Sequence, residues 1–217
     1  MRRTPTPGTR STETRPGPGA GEEKVKRICV FCGSSPGVRP EYAVAARGLG
    51  RVMAERGIGL VYGGGRVGLM GIVADEVMRH GGEAIGVIPE ALLRREVGHS
   101  GLTVLHVVRS MHERKAMMAD LSGGFVALPG GYGTFEEFCE VVTWSQLGIH
   151  PKPCALLNVL GYYEPLLAMF DHGVAEGFIH PQHRAMVLQD TDADTLIDRM
   201  QAFVPPAAEK WIAPGER

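Results

Sequence analysis

The chain has 217 residues, 44% of them hydrophobic, and a nearly balanced charge of 23 Lys plus Arg against 24 Asp plus Glu. This length suits one well-buried domain and is small for two. The balanced charge excludes a strongly basic surface, so we expect no nucleic-acid partner, and four cysteines are too few for a disulfide framework in a chain of this size.

The two ends of the chain read differently from its middle. Residues 1–24 are rich in Pro, Thr, Gly and Arg, with few large apolar side chains, which predicts a disordered tail. Arg2-Arg3 is not followed by the apolar segment of an export signal, and no later stretch is apolar enough to cross a bilayer. We therefore expect a cytoplasmic protein with no membrane partner, a folded domain over residues 25–204 and a C-terminal tail over 205–217.

From Val25 onwards, apolar runs typical of strands alternate with amphipathic runs typical of helices. The predicted strands are Lys26–Cys32, Ile58–Tyr62, Glu83–Ile88, Leu102–Val108, Phe125–Leu128 and Cys154–Val159. The predicted helices are Pro40–Arg56, Gly68–His80, Ser110–Leu121 and Phe135–Leu147, with two more near Tyr162–Glu176 and Asp192–Phe203. The alternation predicts an α/β fold, a doubly wound and mostly parallel Rossmann-like sheet with helices on both faces of a single domain.

Cys29 and Cys32 form a C-x-x-C pair inside the first predicted strand. Their spacing of three places the two side chains on opposite faces of the strand, which favours packed thiols over a redox or zinc pair. The sequence holds no second cysteine pair and no H-E-x-x-H motif. We therefore expect no metal site and no cofactor, although a divalent ion could accompany a bound phosphate.

Three glycine-rich loops follow predicted strands. In parallel sheets ligands bind beyond the carboxyl ends of the strands, and this rule brings the three loops to one edge. They are Gly33-Ser34-Ser35, Gly63-Gly64-Gly65 and Gly130-Gly131-Tyr132-Gly133. The pattern predicts a nucleotide pocket, with Ser34, Gly64 and Gly65 among the residues that bind the ligand.

The third loop joins a predicted strand to a helix N-terminus. Its glycines permit close approach of the backbone, and the first N–H groups of the helix favour an anion, most naturally a phosphate. The loop has no Lys-Ser or Lys-Thr after its last glycine, and its glycine spacing differs from the dinucleotide fingerprint. It therefore matches neither of the two common phosphate motifs.

The run PGGYGTFEE, residues 129–137, resembles the PGG-x-GT-x-x-E signature of the Lonely Guy family, the cytokinin riboside 5'-monophosphate phosphoribohydrolases. The resemblance covers roughly Lys26 to Ile179. It implies hydrolysis of the N-glycosidic bond of N6-modified adenosine 5'-monophosphates, which releases free base and ribose 5-phosphate. It also implies a homodimer, and the apolar surplus of the helix around Glu140–Leu147 favours a subunit interface.

The resemblance also implies roles for single residues. Arg114 and Glu137 match the family's catalytic pair. The substrate, a nucleoside 5'-monophosphate, would be bound by Glu96, Lys115, Thr143 and the loop residues Gly130, Gly131, Tyr132, Gly133, Thr134, Phe135 and Glu136.

Two of these assignments have rivals in the sequence itself. Thr134 and Glu137 have the spacing of a capping box, in which the two side chains satisfy the first N–H groups of a helix. Thr143 lies six positions after Glu137, on a different stripe of the helix, and would need a neighbouring subunit or a bent substrate to share the site.

Other functions stay open at this point. The motifs concern phosphate and ribose rather than the base, so an AMP or purine-monophosphate nucleosidase is an alternative, as is a non-catalytic nucleotide-binding protein. Proteins with this signature have also been labelled lysine decarboxylases, which need a Schiff-base lysine. Of the five lysines only Lys115 lies near the predicted site.

Overall fold

A computed structural model describes residues 25–93 and 98–206 of the chain. The predicted N-terminal tail, residues 207–217 and the candidate Glu96 lie outside the described residues. Within them, one sheet is built from β1 (Arg27–Phe31), β2 (Gly59–Tyr62), β3 (Ala84–Pro89), β4 (Val104–Val108), β5 (Gly124–Ala127), β6 (Cys154–Leu157) and β7 (Val187–Asp190). The spatial order is β4-β3-β2-β1-β5-β6-β7, and every neighbouring pair is parallel.

Helices cover both faces of this sheet, as the alternating pattern predicted. They are α1 (Pro40–Glu55), α2 (Gly68–Arg79), α3 (Glu90–Leu93), α4 (Met111–Leu121), α5 (Tyr132–Gln146), α6 (Glu164–Ala175), α7 (Pro181–Arg184) and α8 (Ala193–Gln201). Buried side chains of α1, α2 and α8 form the core on one face, and those of α4, α5 and α6 form the core on the other. The predicted doubly wound, Rossmann-like fold is confirmed.

The strand order reverses between β1 and β5. From β1 the chain adds β2, β3 and β4 on one side, then returns to place β5 on the other side of β1. Phe31 pairs with Ala127 at the ends of these two strands, so the loops that follow them start side by side. A crevice opens at such a switch point, because the two connections leave towards opposite faces.

Several elements differ from the sequence prediction, among them the four-residue helices α3 and α7, which were not predicted. Strand β7 was missed, because its sequence Val-Leu-Gln-Asp is short and only Val187 is buried at this edge of the sheet. Helix α5 begins at Tyr132, three residues before the predicted start at Phe135. The other predicted strands and helices are confirmed, with small shifts at their ends.

Cys29 and Cys32 pack into opposite cores, as their spacing predicted. Cys29 contacts the core beneath α4, α5 and α6, whereas Cys32 belongs to the core beneath α1 and α2. Burial raises the pKa of both thiols, and the negative charge of Glu137 adds to the effect. Both cysteines are therefore neutral, packed thiols that cannot pair with each other.

No helix in the described ranges is long and apolar enough to cross a membrane.

The thiol environments predict a pattern of alkylation. Because the thiolate is the reactive form, N-ethylmaleimide at pH 8 should leave Cys29, Cys32 and Cys154 unmodified in the native protein. Half-buried Cys139 should react first, and denaturant should make all four react. Peptide mass spectrometry would locate the adducts, and rapid native labelling of Cys29 would contradict this packing.

Candidate active site

A cavity of about 240 Å³ lies at the switch point, beyond the carboxyl ends of β1 and β5. Its walls include the β1 loop at Gly33 and Ser34, Gly63 after β2, and the first turn of α5. Arg114 from α4 and Glu137 from α5 also line it. A larger depression of about 1020 Å³ lies at the opposite, amino-terminal edge of the sheet, and none of the predicted site residues lines it.

The first turn of α5 presents free N–H groups to this cavity. Gly131 is the N-cap residue and caps the helix with no side chain, and the first intrahelical bond runs from Phe135 N to Gly131 O at 3.1 Å. The N–H groups of Tyr132, Gly133 and Thr134 precede that bond and so lack an acceptor within the helix. With the helix dipole behind them, they form a site suited to an anion.

The capping box predicted for Thr134 and Glu137 is wrong. Because α5 begins at Tyr132, Thr134 is the third residue inside the helix rather than its N-cap. Its side chain is buried below the loop, where a Cβ on Gly130 would overlap the Thr134 hydroxyl. Capping therefore does not account for Glu137, whose side chain lies at the cavity.

The glycine loop is fixed by hydrogen bonds from both sides of the switch point. Gly33 N donates to Pro129 O at 3.0 Å, which ties the β1 loop to the glycine loop. Tyr163 Oη donates to Leu128 O at 2.6 Å, and Tyr162 Oη donates to Gly130 O. Sequence reasoning missed both tyrosines, since only the fold brings the segment after β6 beneath this loop.

Arg114 and Glu137 meet inside the cavity. Their side chains are 8% and 12% exposed, and Arg114 Nη1 lies 3.9 Å from Glu137 Oε1. Ser110 caps α4 and accepts a hydrogen bond from Glu113 N at 3.1 Å, so Arg114 sits on a well-defined first turn. The fold thus brings together the two residues that the family resemblance predicted to be a catalytic pair.

The guanidinium of Arg114 has weak protein partners for its degree of burial. Its Nε has no hydrogen-bond partner among the described residues, and Nη1 contacts the thioether of Met111 at 3.8 Å. Burying a cation is costly unless it is paired and hydrogen-bonded. This arrangement favours a ligand that brings oxygen acceptors, such as a phosphate or a sugar.

Lys115 and Glu136 are placed differently from their neighbours. Lys115 Nζ lies 2.7 Å from Glu136 Oε1 and 2.9 Å from Glu140 Oε1, and neither Lys115 nor Glu136 lines the cavity. Burial opposes the charge of Lys115, but the two carboxylates outweigh it and raise its pKa. Lys115 links α4 to α5, and its assignment to substrate binding stays a prediction.

The remaining candidates are divided between the cavity and its surroundings. Ser34 lines the cavity, whereas Phe135 packs against Tyr162 and Tyr163 behind the loop. Gly64 O accepts a hydrogen bond from His99 N at 3.1 Å, and Gly65 pairs with Gly98, so both glycines hold the chain that follows the undescribed segment 94–97.

Thr143 lies outside the cavity. It is exposed on α5, and its hydroxyl donates to Cys139 O at 2.7 Å. The structure also adds cavity residues that the sequence did not single out as ligand-binding, among them Gly63, Met70 and Met118. The glycine triplet after β2 was a signal for the first, whereas the two methionines read as ordinary core positions.

Comparisons with known proteins find relatives over most of the chain. Residues 70–200 match a family model described as "possible lysine decarboxylase". The chain is 50% identical over 184 residues to a cytokinin riboside 5'-monophosphate phosphoribohydrolase of Arabidopsis thaliana, covering 85% of this chain and 86% of that protein. It is 49% identical over 195 residues to the protein of that name from Rhodococcoides fascians, covering 89% and 95%.

Among solved structures, the Moco carrier protein of Chlamydomonas reinhardtii has a similar fold. The TM-score is 0.61 at 22% identity, and the match covers 81% of this chain and 97% of that one. At this identity the likeness concerns the fold alone.

The anchoring of the glycine loop leads to a prediction for Tyr162→Phe. Loss of the hydrogen bond to Gly130 O should loosen the loop and weaken ribose 5-phosphate binding by about fivefold, the equivalent of about 1 kcal/mol. Titration calorimetry would measure the dissociation constant of ribose 5-phosphate for the variant and the wild-type protein. Tyr42→Phe is the matched control, because the Tyr42 ring packs edge-on against Tyr162, and among the described residues it is Tyr162 that donates to the loop carbonyl. Equal affinities in the two variants would contradict the anchoring role.

Proposed function

The chain belongs to the Lonely Guy family of cytokinin riboside 5'-monophosphate phosphoribohydrolases, and on that basis we propose that it hydrolyses the N-glycosidic bond of N6-modified adenosine 5'-monophosphates. The products are free base and ribose 5-phosphate. One observation carries the proposal for the site. A buried Arg114 and Glu137, 3.9 Å apart, share a cavity with a helix N-terminus that no side chain caps.

The phosphate of the substrate binds at the first turn of α5. The N–H groups of Tyr132, Gly133 and Thr134 and the helix dipole provide the anion site, and Gly130 and Gly131 let the backbone approach the oxygens. The phosphate is remote from the bond that breaks. Its binding therefore contributes by anchoring the ribose in one orientation over the cavity.

Glu137 acts on the sugar. As the N-glycosidic bond breaks, the ribose ring develops oxocarbenium-like positive charge, which a fixed carboxylate stabilises. The same carboxylate can orient the attacking water. Its burial supports this role, because electrostatic stabilisation is stronger where water is excluded.

Arg114 binds the negative and polar groups of the substrate. Its guanidinium lies on the cavity side of α4, close enough to hold the Glu137 carboxylate in place. Its Nε–H, which has no partner in the part of the chain that the structure describes, can bind a phosphate or ribose oxygen once substrate enters. The cavity residues thus recognise phosphate and ribose, so an AMP or purine-monophosphate nucleosidase is the alternative activity.

The geometry does not support the decarboxylase description. A pyridoxal enzyme needs a lysine amine that can become neutral and form a Schiff base. Lys115 is instead held between Glu136 and Glu140, which keep its amine protonated.

We also propose that the protein is a homodimer that uses α5. Val142 and Trp144 on this helix are only partly buried, and Thr143 between them is exposed. A partner subunit packed here would cover these apolar groups and could bring Thr143 to the partner's site. A cytoplasmic location stays a prediction from the sequence.

The activity is tested by chromatography of free base after incubation with isopentenyladenosine monophosphate, AMP and isopentenyladenosine. Base should be released from the monophosphates alone, because the helix N-terminus requires a phosphate, and the ratio of rates gives the base preference.

A substitution then tests the role of the carboxylate. Glu137→Gln should lower kcat by at least about a hundredfold, since it removes the charge opposite the oxocarbenium ion. Glu140→Gln, on the same helix but outside the cavity, should keep the wild-type rate. No release from any substrate by the wild-type protein would refute the enzymatic proposal.

The dimer is tested by light scattering of the purified protein. We expect roughly twice the chain mass of 23.4 kDa. Trp144→Glu should shift the mass towards the monomer, because a charge would be buried at the interface. A wild-type mass of one chain would rule the dimer out.

A further inference from the structure

Gly63 lies directly beneath the guanidinium of Arg114. It follows β2 and lines the cavity. A Cβ built on Gly63 would overlap Arg114 Nη2 and would lie 3.2 Å from Arg114 Cζ and 3.3 Å from Met70 Sδ. The arginine head therefore occupies the volume that any other side chain at position 63 would fill.

The backbone of Gly63 gives no other reason for glycine. Its neighbour Gly64 has φ of +75°, a conformation that L side chains rarely adopt, but Gly63 is not among the positive-φ glycines of the described residues. Alanine could adopt the backbone conformation of residue 63 without strain. Position 63 requires glycine because the Arg114 head fills the volume that a side chain would need.

Within residues 25–93 and 98–206, no strong hydrogen bond to the arginine head is seen. Its Nε lacks a partner among the described residues, its Nη1 meets a weak thioether acceptor, and Glu137 is 3.9 Å away. The space left open at Gly63, which the Arg114 head fills, is therefore a main determinant of where the guanidinium rests. In a close-packed interior, the neighbouring atoms limit the positions that a side chain can take.

We propose that Gly63 is a positioning residue for Arg114, and that the absence of a side chain at Gly63 sets the guanidinium at the height the reaction needs. This inference rests on the proposed function of the cavity. It assigns the glycines of the triplet different tasks. Gly63 provides space for Arg114, Gly64 provides a left-handed turn, and Gly65 pairs with Gly98.

Gly63→Ala should fold with the arginine head displaced. The overlapping atom is the far end of a flexible side chain, so the arginine rather than the backbone should move. Displacement of a catalytic group by about 1 Å can cost about a hundredfold in rate, and we expect a loss in kcat/KM of that order.

A double-mutant cycle separates positioning from any independent role of Gly63. We would measure kcat/KM for base release by Gly63→Ala, Arg114→Ala and the double variant. If Gly63 acts through Arg114, the double variant should fall no more than about twofold below Arg114→Ala alone. Multiplicative losses would overturn the proposal.

The matched control is Gly48→Ala. Gly48 lies inside α1, where an added Cβ meets no atom within 4 Å, so wild-type activity and an unchanged or higher Tm are expected. If Gly63→Ala fails to fold, the double variant should recover the fold, because the overlapping guanidinium is gone. Failure of both variants to fold would overturn the proposal.

A crystal structure of Gly63→Ala separates this inference from the proposed function. The guanidinium should be shifted off residue 63 with the backbone unchanged, and an unmoved guanidinium would overturn the positioning role. A wild-type protein that releases no base would instead refute the proposed function, while the structural comparison would still test the contact.

Discussion

The pairing of β1 with β5 is the constraint on which the site depends. Because the two strands are parallel neighbours whose chains leave towards opposite faces, their following loops part and leave a crevice. The bond from Gly33 N to Pro129 O then joins the loops across the crevice floor. Everything chemically useful is arranged around this junction. The start of α5 rises from one strand, and Arg114 reaches in from the helix that precedes β5.

The site holds a buried cation whose hydrogen-bonding groups the described residues satisfy only in part. Arg114 is nearly buried, its Nε has no partner among those residues, and the N–H groups at the start of α5 have no capping side chain. Burying such groups opposes folding. A phosphorylated sugar supplies what is missing, since its phosphate matches the helix start and its developing positive charge matches the carboxylate. The electrostatic arrangement is thus complementary to a reacting ligand.

Much of this could be predicted from the sequence, for reasons that can be traced to particular residues. Buried parallel strands are continuous apolar runs, so β1, β2, β3, β5 and β6 were visible. Both edge strands are partly exposed, and β4 was visible because it is still rich in Val and Leu, whereas β7 has polar residues and was not. The glycine loop and the pair Arg114 and Glu137 were found through a motif. The capping box failed because Gly131, not Thr134, begins α5. Contacts between distant segments, such as Tyr162 with Gly130, leave no local pattern to read.

Glycine shows most clearly where sequence reasoning ends. From the sequence, all glycines of the three loops receive the same interpretation, namely a flexible turn that lets a phosphate approach the backbone. In the structure, Gly64 is required by its φ of +75°, Gly130 by the buried Thr134 below it, and Gly63 by the guanidinium above it. These are requirements of backbone conformation, of packing and of catalytic geometry. Since a glycine has no side chain, the reason for its presence lies in its neighbours, and those are known only once the chain has folded.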